Sequence, residues 1–197
     1  MAIGRGVEPL KRDADSPYVH TRARDESGFG LLELLMAMVM LNVGVLAIVA
    51  AFSSGNAALA RASRISTAAA LADKQIEIYR GQDYDNILFT TSEWNAAVAD
   101  STYTGDSVYQ QNMASPQTPK ALVGTVTTCP TVVPAGACDP SFTTTGADHR
   151  SYRVDTYLYF DTPTFGNQLK TVTVVVRNGL NNRVYSRVSS TFDPSTG

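Results

Sequence analysis

Glu33 is the one charged residue in FGLLELLMAMVMLNVGVLAIVAAF, the 24 residues from Phe29 to Phe52. An acid at the centre of a membrane-spanning helix costs about 2.5–3.5 kcal/mol, less near the end, so one that is kept there is by default functional. Its chemistry is charge pairing: at ~4 Å and an effective dielectric near 20, opposite unit charges attract by roughly 4 kcal/mol. Cys129 and Cys138, in TCPTVVPAGACDP, are the second candidate for chemistry. An isolated pair this close reads as a disulfide in an oxidising compartment. The loop it closes is worth about 2–3 kcal/mol in the chain-entropy account. Zinc would want more ligands, and His20 lies before the apolar run while His149 stands alone. No Ser/His/Asp or Cys/His constellation is available, so neither enzymatic activity nor a metal or cofactor is expected. Asp100, Asp106, Asp139, Asp148 and Asp161 offer oxygens of the kind that bind calcium, but without dense spacing, and surface solubility is their expected role.

The element that must position Glu33 is a helix. A bilayer needs roughly 20 apolar residues in helical form, and the run from Phe29 to Phe52 is long enough. A cleaved secretory signal fails on length, since its apolar region is about 7–15 residues behind a basic flank. A plain signal anchor, with Glu33 incidental near the interface, is the other reading.

The residues SGFGLLELLMAMV resemble the class III signal of type IV pilins and pseudopilins, in which glycine precedes phenylalanine and glutamate is the fifth residue of the mature chain. The resemblance implies cleavage between Gly28 and Phe29 by a prepilin peptidase, N-methylation of Phe29, and an assembly role for Glu33. In a fibre the new α-amine of Phe29 is buried among neighbouring helices, and Glu33 supplies its partner. Breaking such a buried pair costs about 3–5 kcal/mol. In the membrane the same side chain lies one turn from the cytoplasmic end and reaches toward the headgroups. Gly30 in place of the commoner threonine, Asn42 where many pilins have a small residue, and a proline-free apolar segment depart from the family pattern. LNVGVLAIVAAF followed by ALADKQIEIYR looks most like the PilV-like or pseudopilin I branch of minor subunits.

The implied fold is α+β and pilin-like, with a long N-terminal helix packed on a C-terminal antiparallel sheet. Residues 1–28 are read as a cytoplasmic leader, 29–52 as the transmembrane and assembly half of the helix, and 53–80 as its amphipathic half. From Asn56 to Arg80 the chain is alanine-rich and proline-free, with Leu59, Ala62, Ile65, Ala69, Ala72, Ile76 and Tyr79 at steps of three or four. Arg61, Arg64, Lys74 and Gln75 mark the polar face. Ser53-Ser54-Gly55 is a point of softening, and Gly81 is the expected stop, taking the left-handed conformation that closes helices.

Residues 82–120 lose periodicity and read as a long connection with short elements, the kind that is often functional. Trp94, Tyr103 and Tyr109 there are either a contact patch or a cover for the sheet, the second being the commoner use of aromatics. Residues 121–191 read as a meander. Ala121 to Thr128 is a candidate strand, and SYRVDTYLYF alternates as a half-buried one. LKTVTVVVRN, the turn NGLNN and RVYSRVSSTF complete it, with Val184 and Val188 inward.

Charge adds little. Residues 29–197 carry 11 basic and 13 acidic residues, so no overall field attracts nucleic acid. Lys170, Arg177, Arg183 and Arg187 form either a local basic patch or, more commonly, solvated strand faces. Lys11, Arg12, Arg22 and Arg24 lie within about 20 residues of the span, against Arg61 and Arg64 beyond it, which places the leader inside and the head outside. The resulting expectation is a non-enzymatic minor pilin that enters or primes a filament from the cytoplasmic membrane. Its expected partners are the peptidase, other pilins, a platform protein and an assembly ATPase. A pseudopilin of secretion or DNA uptake is the alternative within the family, and a signal-anchored binding protein the alternative outside it.

Overall fold

The structure is a computed structural model describing residues 30–114, 120, 124–134, 136–161 and 167–196. The chain is α+β, with a 50-residue N-terminal helix α1, Leu31–Arg80, and a four-stranded antiparallel sheet at the C-terminal end. It divides between Ala50 and Ala51 into two units. What is described of the first unit is the apolar half of α1, which alanine, leucine and methionine favour as helix formers and no proline interrupts.

In the second unit the remainder of α1 packs on the sheet. Ala68 and Ala72 are fully buried, and their small side chains let the strands come close. Ile76 and Tyr79 then join Tyr152, Val154, Leu158, Val172, Val174 and Val176 in one core. The expected stripe therefore holds at Ala72, Ile76 and Tyr79. Leu59 (70% exposed) and Ile65 (42%) depart from it and face out. Gln75, expected on the polar face, is buried because its amide Nε2 donates to the Gly136 carbonyl at 3.2 Å. Gly146 lies tight against α1. A Cβ there would lie 2.6 Å from the Thr67 methyl and 2.7 Å from the Tyr152 ring, so only glycine fits without a shift.

Helix α1 ends at Arg80, where Gly81 leads one to expect it, but by a different device. Gly136, at φ 85°, is the only described glycine in the left-handed region. The Gly81 N–H still bonds to the Glu77 carbonyl at 3.0 Å, and the Gln82 N–H bonds to Tyr79 at 3.2 Å, a tightened last turn.

The stretch expected as a long connection is largely structured. A 3-10 turn, Tyr84–Asn86, leads to β1, Phe89–Thr90, then α2, Thr91–Ala99, then α3, Ser101–Thr104, and a π-helical turn, Tyr109–Met113. The candidate strand at 121–128 is reduced to β2, Thr125–Val126, which pairs in parallel with β1 outside the main sheet; residues 121–123 lie outside the described residues. The meander itself begins at β3, Ser141–Thr145, and continues through β4, Ser151–Asp161, β5, Leu169–Asn178, and β6, Val184–Phe192, in sequential order.

Strand β4 is buried on both faces rather than one. Tyr152, Val154 and Leu158 face α1, while Tyr157 and Tyr159 pack with Val175 of β5 against Ala97, Tyr103 and Val108 from the segment after α1. The sheet thus lies between α1 and a thin helical layer. Val184 also departs from expectation. A register shift between Val176 and Arg177 sets it opposite Arg177, where it is exposed, whereas Val188 lies opposite Val174 and packs on the core. The NGLNN turn forms as expected: Asn178 Oδ1 accepts from the Leu180 N–H at 2.8 Å, and Asn182 takes φ 56°, a conformation asparagine tolerates.

Ile76→Ala removes a buried side chain and is expected to cost about 2–5 kcal/mol. Leu59→Ala, at an exposed position, should stay within about 0.5 kcal/mol. Denaturant unfolding of the detergent-solubilised chain, followed by near-UV circular dichroism, checks both values.

Candidate functional site

Glu33 lies in the first turn of α1, its N–H bonded to the Gly30 carbonyl at 2.9 Å. A carboxylate there complements the positive end of the helix dipole, a local benefit of about 0.3–1 kcal/mol at an exposed site. From Leu31 to Phe52 every large apolar side chain is exposed, from 51% at Val45 to 80% at Leu31. Helix α1 is long and apolar enough to cross a membrane. Gly28 and Phe29, the expected processing site, lie outside the described residues.

The cysteines do form the disulfide Cys129–Cys138, with Cα atoms 5.9 Å apart. The covalent loop presents consecutive backbone carbonyls to the rest of the head. Gly136 accepts from Gln75, Ala137 accepts from the Tyr79 hydroxyl at 2.8 Å, and Cys138 accepts from the Thr90 N–H at 3.1 Å. The loop is thereby clamped to α1 and β1. Burial holds the Tyr79 phenol well above its ordinary range.

On the face of the sheet away from α1, an ion network escaped the sequence reading. Asp155, fully buried, accepts from Ser141 Oγ and Arg153 Nε at 2.7 Å each and from Arg177 Nε at 2.8 Å. Arg177 also pairs with Asp106, which accepts from Arg187 at 3.0 Å and from the Val108 N–H at 2.7 Å. Arg153 completes the chain by pairing with Asp100 at 2.5 Å. Three acids and three arginines balance, as burial of charge demands. Burial weakens the Arg177 and Arg153 cations, but their carboxylate partners outweigh it and raise both above the ordinary value. The network ties Asp100 and Asp106 of the helical layer to β4, β5 and β6. Each of its acids is engaged by a cation or an N–H donor.

The remaining candidates resolve into structural roles. Trp94 stacks on Phe89 and meets Tyr103 edge-on; Tyr103 stacks on Tyr157 at 4.4 Å and contacts Tyr109, so the three aromatics cover the sheet. Tyr103 donates its hydroxyl to the Thr156 carbonyl at 2.6 Å, and Tyr157 donates to the Tyr103 carbonyl at 3.0 Å. Of the acids considered for calcium, Asp148 accepts from the Tyr152 hydroxyl at 2.7 Å and Asp161 pairs with Lys120 at 3.1 Å. Among the described residues no cluster of three or more His, Cys, Asp or Glu is placed to hold a metal ion. The four C-terminal cations are neither a patch nor a solvated face. Arg177 and Lys170 are buried, Arg187 is paired, and Arg183 alone is exposed without an ion pair among those described. Lys170 Nζ donates to the Tyr84 and Ile87 carbonyls at 2.6 and 3.0 Å and lies over the Tyr84 ring, and burial lowers its pKa.

No family model, no curated protein and no solved structure matches the chain.

Two pH limits follow for the head. Burial opposes ionisation of Asp100, but the Thr102 N–H and Arg153 outweigh it and hold the carboxyl below its ordinary value of 3.8. Its contribution is therefore present above about pH 4 and lost as the pH falls through the depressed value. Asp100→Asn should lower stability at neutral pH and flatten the acid limb of melting temperature against pH. Burial raises Tyr103 and Tyr157 above the ordinary 10.0. Their stabilisation is full below about pH 10 and is lost above it, as the unfolded chain ionises first. Alkaline unfolding should therefore coincide with the main rise in tyrosinate absorbance; full titration near pH 10 with structure retained would contradict this.

Proposed function

We propose that this chain is a structural subunit of the type IV pilin kind, stored in the cytoplasmic membrane through α1, trimmed between Gly28 and Phe29, and built into a filament in which Glu33 neutralises the new amino terminus of a neighbour. One observation carries the reading: a lone carboxylate in the first turn of a helix whose large apolar side chains from Leu31 to Phe52 are all exposed. Such a surface needs lipid or other helices around it. The carboxylate is then tolerable near the membrane edge and useful once the helix is bundled, since a buried cation requires a partner.

The head fits a passive role. It is a disulfide-clamped domain in which Asp100, Asp106 and Asp155 pair with Arg153, Arg177 and Arg187, and Trp94, Tyr103 and Tyr109 cover the sheet. Disulfides persist in oxidising compartments, which supports a head outside the cytoplasm. Adhesion, motility, secretion and uptake could all use such a head, and the branch resembled is one of minor, priming or tip subunits. The partners proposed are a prepilin peptidase, other pilin or pseudopilin subunits, a platform protein and an assembly ATPase.

Mass spectrometry of the N-terminus in a cell with a prepilin peptidase is the test. A chain beginning at methylated Phe29 is expected, with Gly28→Ala tolerated or slowed and a bulky charged residue at position 28 blocking the cut. Retention of Met1 in such a cell would favour a plain signal anchor instead.

A further inference from the structure

Among the described residues the sheet has two open edges. Strands β3 and β6 each have one strand neighbour, and the two edges differ in shape. Unprotected edges are templates for another strand, and native proteins blunt them with lysine, proline or a covering element. Neither SFTTT of β3 nor VYSRVSSTF of β6 contains lysine or proline. The one cation within the two strands, Arg187, is turned to its own sheet and paired with Asp106.

We propose that these edges pair with each other between two copies of this chain, β6 of one against β3 of the next. The direction is set by strand number. In an antiparallel sheet of order β3-β4-β5-β6, the two edge strands run opposite ways. A second copy displaced sideways, without inversion, therefore brings its β3 antiparallel to β6 of the first. The sheet continues, and the helices beneath it stay aligned in one direction.

The side chains match this offset. On the α1 side of the β3 edge there is a cleft of about 100 Å³ between helix and strand, lined by Leu71, Ile78, Phe142 and Val154 with Lys74, Gln75 and Thr144. On the same side of the β6 edge Val188 and Phe192 are half-buried apolar groups packed at the margin of the core. One edge thus has a recess and the other has apolar side chains to fill it. On the opposite side the meeting residues are Ser141, Thr143 and Thr145 against Ser189 and Thr191, cross-strand types that hydrogen-bond and carry no like charge. A two-fold arrangement of β6 against β6 would leave the recess empty and set the helices of the two copies in opposite directions. The contact is heterologous, so it propagates rather than closes. It stands on the head alone and does not depend on the reading of Glu33.

The test uses full-length chains in the membranes of the producing cell. A chain carrying Thr143→Cys is co-produced with a tagged chain carrying Ser189→Cys or Thr191→Cys, oxidised mildly, and resolved without reductant. These three positions are exposed, and Cys129 and Cys138 are already bonded to each other. A mixed disulfide dimer is expected in at least one of the two combinations, several-fold above either variant alone, and equally in chains that also carry Glu33→Ala. The proposal is overturned by the absence of a mixed dimer in both combinations, or by Ser189→Cys alone dimerising as well as the mixture, which is the two-fold outcome. Loss of the mixed dimer with Glu33→Ala would overturn it too, because strand pairing needs nothing from the first turn of α1.

Discussion

The exposed apolar surface of the first half of α1 is the constraint on which the rest depends. Each of its leucines, valines, methionines and isoleucines left in water forgoes about 1.5–3 kcal/mol relative to burial. Summed from Leu31 to Phe52, the deficit is of order tens of kcal/mol, several times the stability of an ordinary domain. Water alone is a poor solvent for a contiguous apolar surface of this size. Lipid satisfies the apolar side chains and leaves Glu33 as an expense at the margin. A bundle of like helices satisfies the same side chains and gives Glu33 a use, if a cation is brought beside it. The proposed passage from membrane to filament is a change of solvent for one helix, with one carboxylate distinguishing the two environments.

The head meets the opposite problem: a small sheet with helices on both sides and polar residues inside. On the α1 side the solution is ordinary packing, alanines beneath β-branched and aromatic side chains. On the other side it is electrostatic, with Asp155 and Arg177 buried between strand and helical layer and Asp106 and Asp100 reaching in from that layer. Removing one member strands the rest, which is why a buried pair broken on one side costs about 3–5 kcal/mol. The disulfide loop adds a third fixture, offering backbone carbonyls to Gln75 and Tyr79 where α1 would otherwise bury unsatisfied donors.

Sequence periodicity disclosed what is local and concealed what is tertiary. The stop at Arg80, the NGLNN turn and the existence of strands β4, β5 and β6 are written in short-range patterns, and the structure has all of them. The second buried face of β4 was hidden because its cover is made of short pieces, α2 and α3, with Ala97 and Tyr103 as their buried residues. A signal existed in TVTVVV of β5, where valine on both faces of one strand implies cover on both sides. Arg177 and Asp106 look like surface charges because each one's partner is 71 residues away. Gln75 is polar by type and buried by circumstance, its acceptor being supplied by a loop 61 residues on. Glu33 itself was legible from the start, since a charge in an apolar run needs no tertiary context to stand out.

In the proposed passage the charge of Glu33, rather than its shape, governs the transfer from lipid to fibre. Glu33→Gln keeps the shape and removes the charge. The direct measurement is the fraction of N-terminally trimmed chain recovered in sheared surface fibres versus membranes, for Glu33→Gln beside the unaltered protein. Normal trimming with at least a tenfold fall in the fibre fraction is the predicted result. An unchanged distribution between fibre and membrane would contradict it.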